Sequence, residues 1–390
     1  MPVRKKRRPH RLVFGQPLIE EPEIREVVDC LRSGWLGAGP RVHRFEKAFR
    51  RYKRRGDAIA LNSCTSALHL SLLAAGIKPG DEVITTAMTF CATVNAIIHA
   101  GAVPVIADVD PATMNIDPSS VAAKITRKTR AIIPVHFAGR MCDMDALCRI
   151  AARRRLKVIE DCAHALEAEY RGRRSGTFGD FGCFSFYATK NVSTGDGGMI
   201  LARRRTDADR VRRLASHGLD KDAWARFGGK GFAHYRVVEA GYKCNMTDVQ
   251  AAIGIHQLAR VEDNWRRRRS VWDRYQEAFS DLPVVRPSQV EPKTRHSYHL
   301  YTLLIDKDKA GIGRDECARR LLSLGIGVGV HYLSIPEHPY YHANFGWRPQ
   351  EYPNAMRIGH QTLSLTISPW LSDPEILRII RAVRRTLLGR

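Results

Sequence analysis

The sequence predicts an α/β fold: a mainly parallel sheet covered by helices on both faces, followed by a smaller C-terminal α/β domain. Three observations carry this. Between about residues 57 and 205, short apolar runs alternate with helical stretches, as strands buried on both faces do. After Met246 the pattern turns wholly helical up to about Phe279. From about 280, short strands and helices begin again. The predicted organisation is a basic flexible tail over 1–12, a large domain over 13–279 and a small domain over 280–390.

In chain order, Ile24, Val27, Val28 and Leu31 share one face of a helix predicted from Glu20 to Ser33. Ser33 to Pro40 reads as a loop in which small residues surround Trp35. Strands are expected at Ala58–Leu61, Glu82–Thr85, Val103–Asp108, Ala131–His136, Val158–Asp161, Cys183–Phe186 and Gly198–Ala202. Helices are expected over Ser66–Ala75, Phe90–Ala100 and Met144–Arg155. Two more follow, Thr247–Ala259 and a long charged one reaching about Phe279. The last part offers strands at His299–Ile305 and Gly327–Tyr332. It also offers helices at Asp315–Leu324 and Asp373–Leu388, the second capped by Asp373 before Pro374.

Composition narrows the function classes. Apolar residues at 44% and charged residues at 26% are those of an ordinary globular chain, which excludes a mainly disordered or collagen-like one. No apolar run is long enough for a membrane-spanning helix. The 63 Lys and Arg against 40 Asp and Glu give a formal net charge of +23. The excess gathers at residues 4–8, 153–155, 203–205 and 266–269, which read as solvated basic faces. Lacking interleaved aromatics, these runs carry no specific nucleic-acid signature. The nine cysteines include no Cys-x-x-Cys pair, so no zinc or redox motif is expected. Their odd number and long spacings, with no signal-peptide core after the basic start, point to the cytoplasm.

Four segments at strand ends carry candidate chemistry. Lys190 follows a strand and precedes the polar, Gly-rich stretch to Gly198; such a lysine forms a Schiff base, contacts a phosphate, or is plain surface. Asp161 ends an apolar strand, where open α/β sheets bind ligands; it could serve a metal, a ribose or a protonated ring nitrogen, or be a helix cap or half of a buried ion pair. His164 follows three residues on. Thr65 and Ser66, between a strand and a helix, offer hydroxyls and backbone N–H groups to a phosphate, or ordinary capping. Phe90, after another strand, could cover a flat ring or fill the core. Together a phosphate cup, an aromatic plate, a carboxylate and a lysine make up the parts of a pyridoxal phosphate site.

From about Leu12 to its end the sequence resembles the DegT/DnrJ/EryC1/StrS family of sugar aminotransferases. These are fold-type I pyridoxal phosphate enzymes, aspartate-aminotransferase-like in fold. The matching stretches are Ser33–Leu36 with Gly39-Pro40, Asn62–Leu70, Gly80–Ile84, Ile132–His136, Ile159–His164, Ser185–Gly198, His217-Gly218 and Gly241–Gly254. Glu-Asp-x-Ala-His at 160–164 and Gly-Tyr-Lys-x-Asn at 241–245 are shared with a member that aminates a UDP-linked 4-keto pentose for lipid A.

The resemblance implies a role for each residue. Lys190 is the Schiff-base lysine and then the base of the proton shift. Asp161 pairs with the pyridinium nitrogen. His164, where many relatives carry Gln, bonds the ring 3-oxygen or packs on the ring. Phe90 stacks on the opposite face. Thr65, Ser66 and Ser185 hold the phosphate, and Lys243, where many relatives carry Asn, reaches it from the neighbouring subunit of a homodimer with shared sites. Trp35, His331 and Tyr332 border the substrate. Lysine rather than histidine at 190 favours transamination over sugar dehydration.

The implied reaction passes the amino group of L-glutamate to a nucleotide-linked keto sugar and releases 2-oxoglutarate, in a ping-pong cycle. C4 of the sugar is favoured over C3 or a cyclitol. The product would serve cell-surface polysaccharide, lipopolysaccharide or amino-sugar biosynthesis. The reading from another class is a non-catalytic cofactor-fold sensor or scaffold.

Overall fold

In the computed structural model, residues 11–220 and 234–389 are described. Most of the predicted basic tail, residues 1–10, lies outside them. A seven-stranded sheet forms the centre. Its strands are β1 (Asp57–Leu61), β2 (Glu82–Thr86), β3 (Val103–Ala107), β4 (Thr129–Ile132), β5 (Lys157–Asp161), β8 (Phe181–Ser185) and β9 (Gly198–Ala202), in the order β1-β9-β8-β5-β4-β2-β3. The pairs β3–β2–β4–β5–β8 are parallel. Only β9 runs against both its neighbours. The carboxyl ends of β1, β2, β4, β5 and β8 therefore share one edge, and Asn62, Thr89, Phe90, His136, Asp161 and Ser185 gather there.

Helices cover both faces because the strands are apolar on both. Along β1, Ile59 and Leu61 pack with Leu68, Leu72, Val211 and Leu214, whereas Ala58 and Ala60 pack with Phe45, Phe49 and Leu258. The first face is covered by α3 (Cys64–Ala74), α4 (Cys91–His99) and α7 (Arg205–Ala215). The second is covered by α2 (Pro40–Lys53) and the helix Asp248–Ala259. Helices α1 (Glu21–Arg32), α5 (Pro118–Ala123) and α6 (Met144–Arg154) complete the first half of the chain. A ribbon of β6 (Glu169–Tyr170) and β7 (Arg173–Arg174) pairs with β10 (Thr294–Arg295). Beyond the long helix Val261–Ala278, strands β11 (Tyr301–Leu304), β12 (Val328–Gly329) and β13 (Thr362–Leu365) form an antiparallel sheet ordered β11-β13-β12. Its core joins Tyr275, Tyr301, Leu303, Leu365, Ile379 and Val383. Among the described residues no helix is long and apolar enough to cross a membrane.

Several expectations shift. Leu12, placed by sequence in the tail, is buried in this C-terminal core and hydrogen-bonds Gly325 and Gly327. The strand expected at Ala131–His136 is Thr129–Ile132; Pro134 lacks a donor, although the extended path continues to His136. The strand at Gly327–Tyr332 shrinks to Val328–Gly329. The last helix is capped by Ser372 with Glu375, not by Asp373. One of the basic runs is not wholly surface: Arg268 is buried beside Glu167.

Candidate active site

One cavity of about 640 Å³ opens at the carboxyl edge of the sheet. Thr65, Phe90, Asp161, His164, Ser185, Lys190, His331 and Tyr332 all line it, so eight of the eleven sequence-predicted site residues come together. Ser66 lies just behind: its N–H is capped by Ser63 Oγ at 3.1 Å and its hydroxyl donates to Asn62 Oδ1 at 2.7 Å. Lys243 does not reach the cavity of its own chain. It is exposed, bridged by backbone to Ser216. Trp35 is also absent from the lining; its Nε1–H donates to Ala38 O at 3.2 Å, folding the ring over its own loop.

Asp161 closes β5 and is buried. Burial raises its pKa. The Ala163 N–H on Oδ1 at 3.1 Å, the Thr93 hydroxyl on Oδ2 at 2.8 Å and the charge of Lys190 oppose that shift. Thr93 spends its only proton on the carboxylate, so Thr89, 2.8 Å away, must donate to Thr93. Burial lowers the Lys190 amine to about 8, against the attraction of Cys64 and Asp161. The next residue anchors the lysine loop. Asn191 Nδ2 donates to both oxygens of buried Glu167, at 3.1 and 3.0 Å, and to Ser297 O at 2.9 Å. Its Oδ1 lies 2.9 Å from His299 Nδ1.

Beside Asp161, Glu160 points the other way and fixes the strand end. Its carboxylate accepts from the N–H groups of Gly176, Phe178 and Gly179 at 2.7–2.8 Å and from His136 Nε2 at 3.1 Å. Burial alone would raise its pKa, but these donors outweigh it and the net shift is downward. His136, Glu160 and Cys162 lie close enough together to resemble a metal site. His136 Nδ1, however, accepts from Cys142 N–H at 3.2 Å, so Nε2 carries its proton toward Glu160 and offers no lone pair. Across the site, the segment Ser63-Cys64 packs against Gly198, where an added Cβ would lie 2.4 Å from Ser63 backbone atoms.

Thr93, Thr89, Glu160, Glu167 and Asn191 were not singled out by sequence. Asp248, which accepts from the N–H groups of Gly39, Arg41 and Val42 and so pins the Trp35 loop, was not either. Asn191 adjoins the lysine and Glu160 adjoins Asp161, but the partners of Thr93, Glu160, Glu167, Asn191 and Asp248 come from distant parts of the chain; Thr89 bonds Thr93, four residues on.

The donor set fits pyridoxal phosphate: a lysine amine of depressed basicity, a buried carboxylate across the cavity, hydroxyls at a helix N-terminus, and the ring of Phe90, 57% exposed. The model of the DegT/DnrJ/EryC1/StrS aminotransferase family matches residues 17–384. The chain belongs to that family. Among curated relatives, the spore coat polysaccharide biosynthesis protein SpsC of Bacillus subtilis is 46% identical over 384 residues, covering 98% of this chain and 99% of SpsC. Among solved structures, Spr1654 of Streptococcus pneumoniae in its PMP form superposes with a TM-score of 0.90 at 34% identity, over 97% of this chain and 99% of that one. PseC of Helicobacter pylori, an aminotransferase involved in the biosynthesis of pseudoaminic acid, gives 0.89 at 26%, over 97% and 100%. This DegT/DnrJ/EryC1/StrS chain is thus a pyridoxal phosphate-dependent sugar aminotransferase with the fold-type I architecture.

Proposed function

We propose that the enzyme moves the amino group of L-glutamate to the C4 keto group of a nucleotide-linked sugar, by a ping-pong cycle in the 640 Å³ cavity. The observation that carries this reading is the convergence of Lys190, Asp161, Ser185, Thr65 and Phe90 on one cavity. Bound pyridoxal phosphate supplies an electron sink for the carbon from which a proton leaves. In our reading Lys190 binds the cofactor and then carries that proton, its lowered basicity making both tasks possible near neutral pH. Asp161, its oxygens oriented by Thr93 and Ala163, pairs with the protonated ring nitrogen. Ser185, Thr65 and Ser66 with the start of α3 hold the phosphate. Phe90 covers the ring face. His331 and Tyr332 border the sugar.

We also infer a homodimer with shared sites. Lys243, exposed and away from its own cavity, would then serve that of the second copy. We take residues 13–279 and 280–390 as the two domains. All nine cysteines are free, in keeping with a cytoplasmic enzyme. The product class we favour is an amino sugar for a cell-surface polysaccharide, supported by the likeness to SpsC and PseC.

Half-reactions test this. With pyridoxal phosphate bound, L-glutamate should bleach the visible band and release 2-oxoglutarate, and a nucleotide-linked 4-keto sugar should restore it. A band indifferent to glutamate would overturn the donor. Restoration by 3-keto sugars or keto cyclitols alone would overturn the C4 assignment.

A further inference from the structure

The two nitrogens of His164 are assigned by their partners. The backbone N–H of Ala138 points at Nδ1 from 3.3 Å, and a backbone N–H only donates, so Nδ1 carries no proton. Burial, with the nearby charges of Lys190, His299 and His331, pushes the His164 pKa well down, so the ring is neutral near pH 7. Its one proton then sits on Nε2, 2.9 Å from the hydroxyl oxygen of Tyr332. The imidazole donates and the tyrosine oxygen accepts. The hydroxyl proton of Tyr332 is left to seek another acceptor, and among the described residues none takes it.

The surroundings hold this arrangement in place. Ala138 sits at φ 55°, left-handed for a residue with a Cβ, at a cost of roughly 1–2 kcal/mol. The imidazole and phenol rings lie within 24° of parallel, and Phe137 and Phe90 flank the phenol at 6.3 and 5.8 Å. Burial, with Asp161 and Cys91 nearby, pushes the phenol pKa up, so the hydroxyl keeps its proton. Both side chains line the cavity with Lys190 and Asp161.

We propose that His164 is a positioning residue that acts through Tyr332: its own nitrogens engaged within the protein, it fixes the tyrosine hydroxyl as a one-way hydrogen-bond donor to an oxygen acceptor in the cavity. Two oxygens of that chemistry come to this site, the ionised ring oxygen of the cofactor and the keto oxygen of the sugar. This moves to Tyr332 the contact that the family resemblance implies for His164, and it rests on Lys190 binding the cofactor.

The test is a pH titration of the visible cofactor band in wild type, Tyr332→Phe, His164→Leu and the double variant, with steady-state kinetics alongside. If the acceptor is the cofactor oxygen, Tyr332→Phe makes that oxygen more basic. The midpoint then rises by about one to two pH units, the scale of one hydrogen bond to a charged oxygen. His164→Leu moves it the same way by less, and the double variant matches Tyr332→Phe. If the acceptor is the sugar, the midpoint stays, and kcat/KM for the keto sugar falls about tenfold or more.

A variant set that moves neither quantity, or in which the two substitutions add fully, overturns the proposal. So does a nitrogen-15 spectrum of the apoprotein showing His164 protonated at Nδ1. A wild-type protein that gives no visible band with pyridoxal phosphate fails the Lys190 reading instead, which the band itself distinguishes.

Discussion

Replacing Glu160 by Gln probes how the sheet edge holds the site. Phe178 and Gly179 N–H both donate to Oε1, at 2.7 and 2.8 Å, and the amide oxygen of Gln can take that place. The amide nitrogen then falls where Oε2 accepts from Gly176 N–H and His136 Nε2–H. His136 cannot shift its proton to Nδ1, because Cys142 N–H occupies that nitrogen. Two buried donors lose their acceptor and face a third donor. At about 1–3 kcal/mol for each orphaned group, the loss is about 2–6 kcal/mol. That is a large part of the roughly 5–15 kcal/mol that keeps a protein folded. Urea unfolding of wild type and Glu160→Gln at pH 7 should show a lower midpoint at unchanged slope. The folded carboxyl lies below its ordinary 4.5, so its contribution is full above that pH and is lost as the pH falls through the folded value. The gap between the two proteins should therefore narrow only below about pH 4.5. Equal midpoints at pH 7, or a gap that ignores acid, would refute this account of Glu160.

Three further outcomes are expected. Lys53 is fully buried, donates to Leu166 O and Ser175 Oγ, and is lowered by burial from 10.5 to about 7. Between these values the unfolded chain holds one more proton, so stability rises with pH, and Lys53→Met should reduce that slope by about 1.4 kcal/mol per pH unit in urea melts at pH 8 and 10. Gly198→Ala forces the start of α3 to move, and at about 1–3 kcal/mol of overpacking it should weaken cofactor binding about tenfold by equilibrium titration, whereas a twofold change would contradict the packing. Lys190→Ala should cut glutamate deamination by at least about 10²-fold, and in wild type the rate of cofactor uptake should rise with pH through about 8 as the amine loses its proton.

The strand ends were legible because each apolar run stops at a residue with its own chemistry: Asp161, Ser185, Thr86 before Phe90, and Leu61 before Asn62. Helix boundaries fell within about two residues where periodicity was strong, as at Glu21–Arg32 and Met144–Arg154. What escaped was pairing across the chain. Thr93 lies on the buried face of α4 and reads as core until β5 brings Asp161 beside it, 68 residues away. Arg268 sits in a run of four arginines that looks solvated, yet its partner Glu167 arrives from another part of the chain. His164 was visible as a site residue, but its tautomer depends on the left-handed turn at Ala138, which no local signal in an alanine announces.

Borohydride reduction of the pyridoxal phosphate-loaded protein, followed by peptide mapping, tests the central claim most directly. Two lysines have depressed basicity, half-buried Lys190 at about 8 and buried Lys53 at about 7, but of the two only Lys190 lines the cavity. The account predicts that the reduced cofactor is fixed on the peptide carrying Lys190 and that Lys190→Ala abolishes the label. A label on Lys53, or a cofactor that dialyses away after reduction, would contradict it.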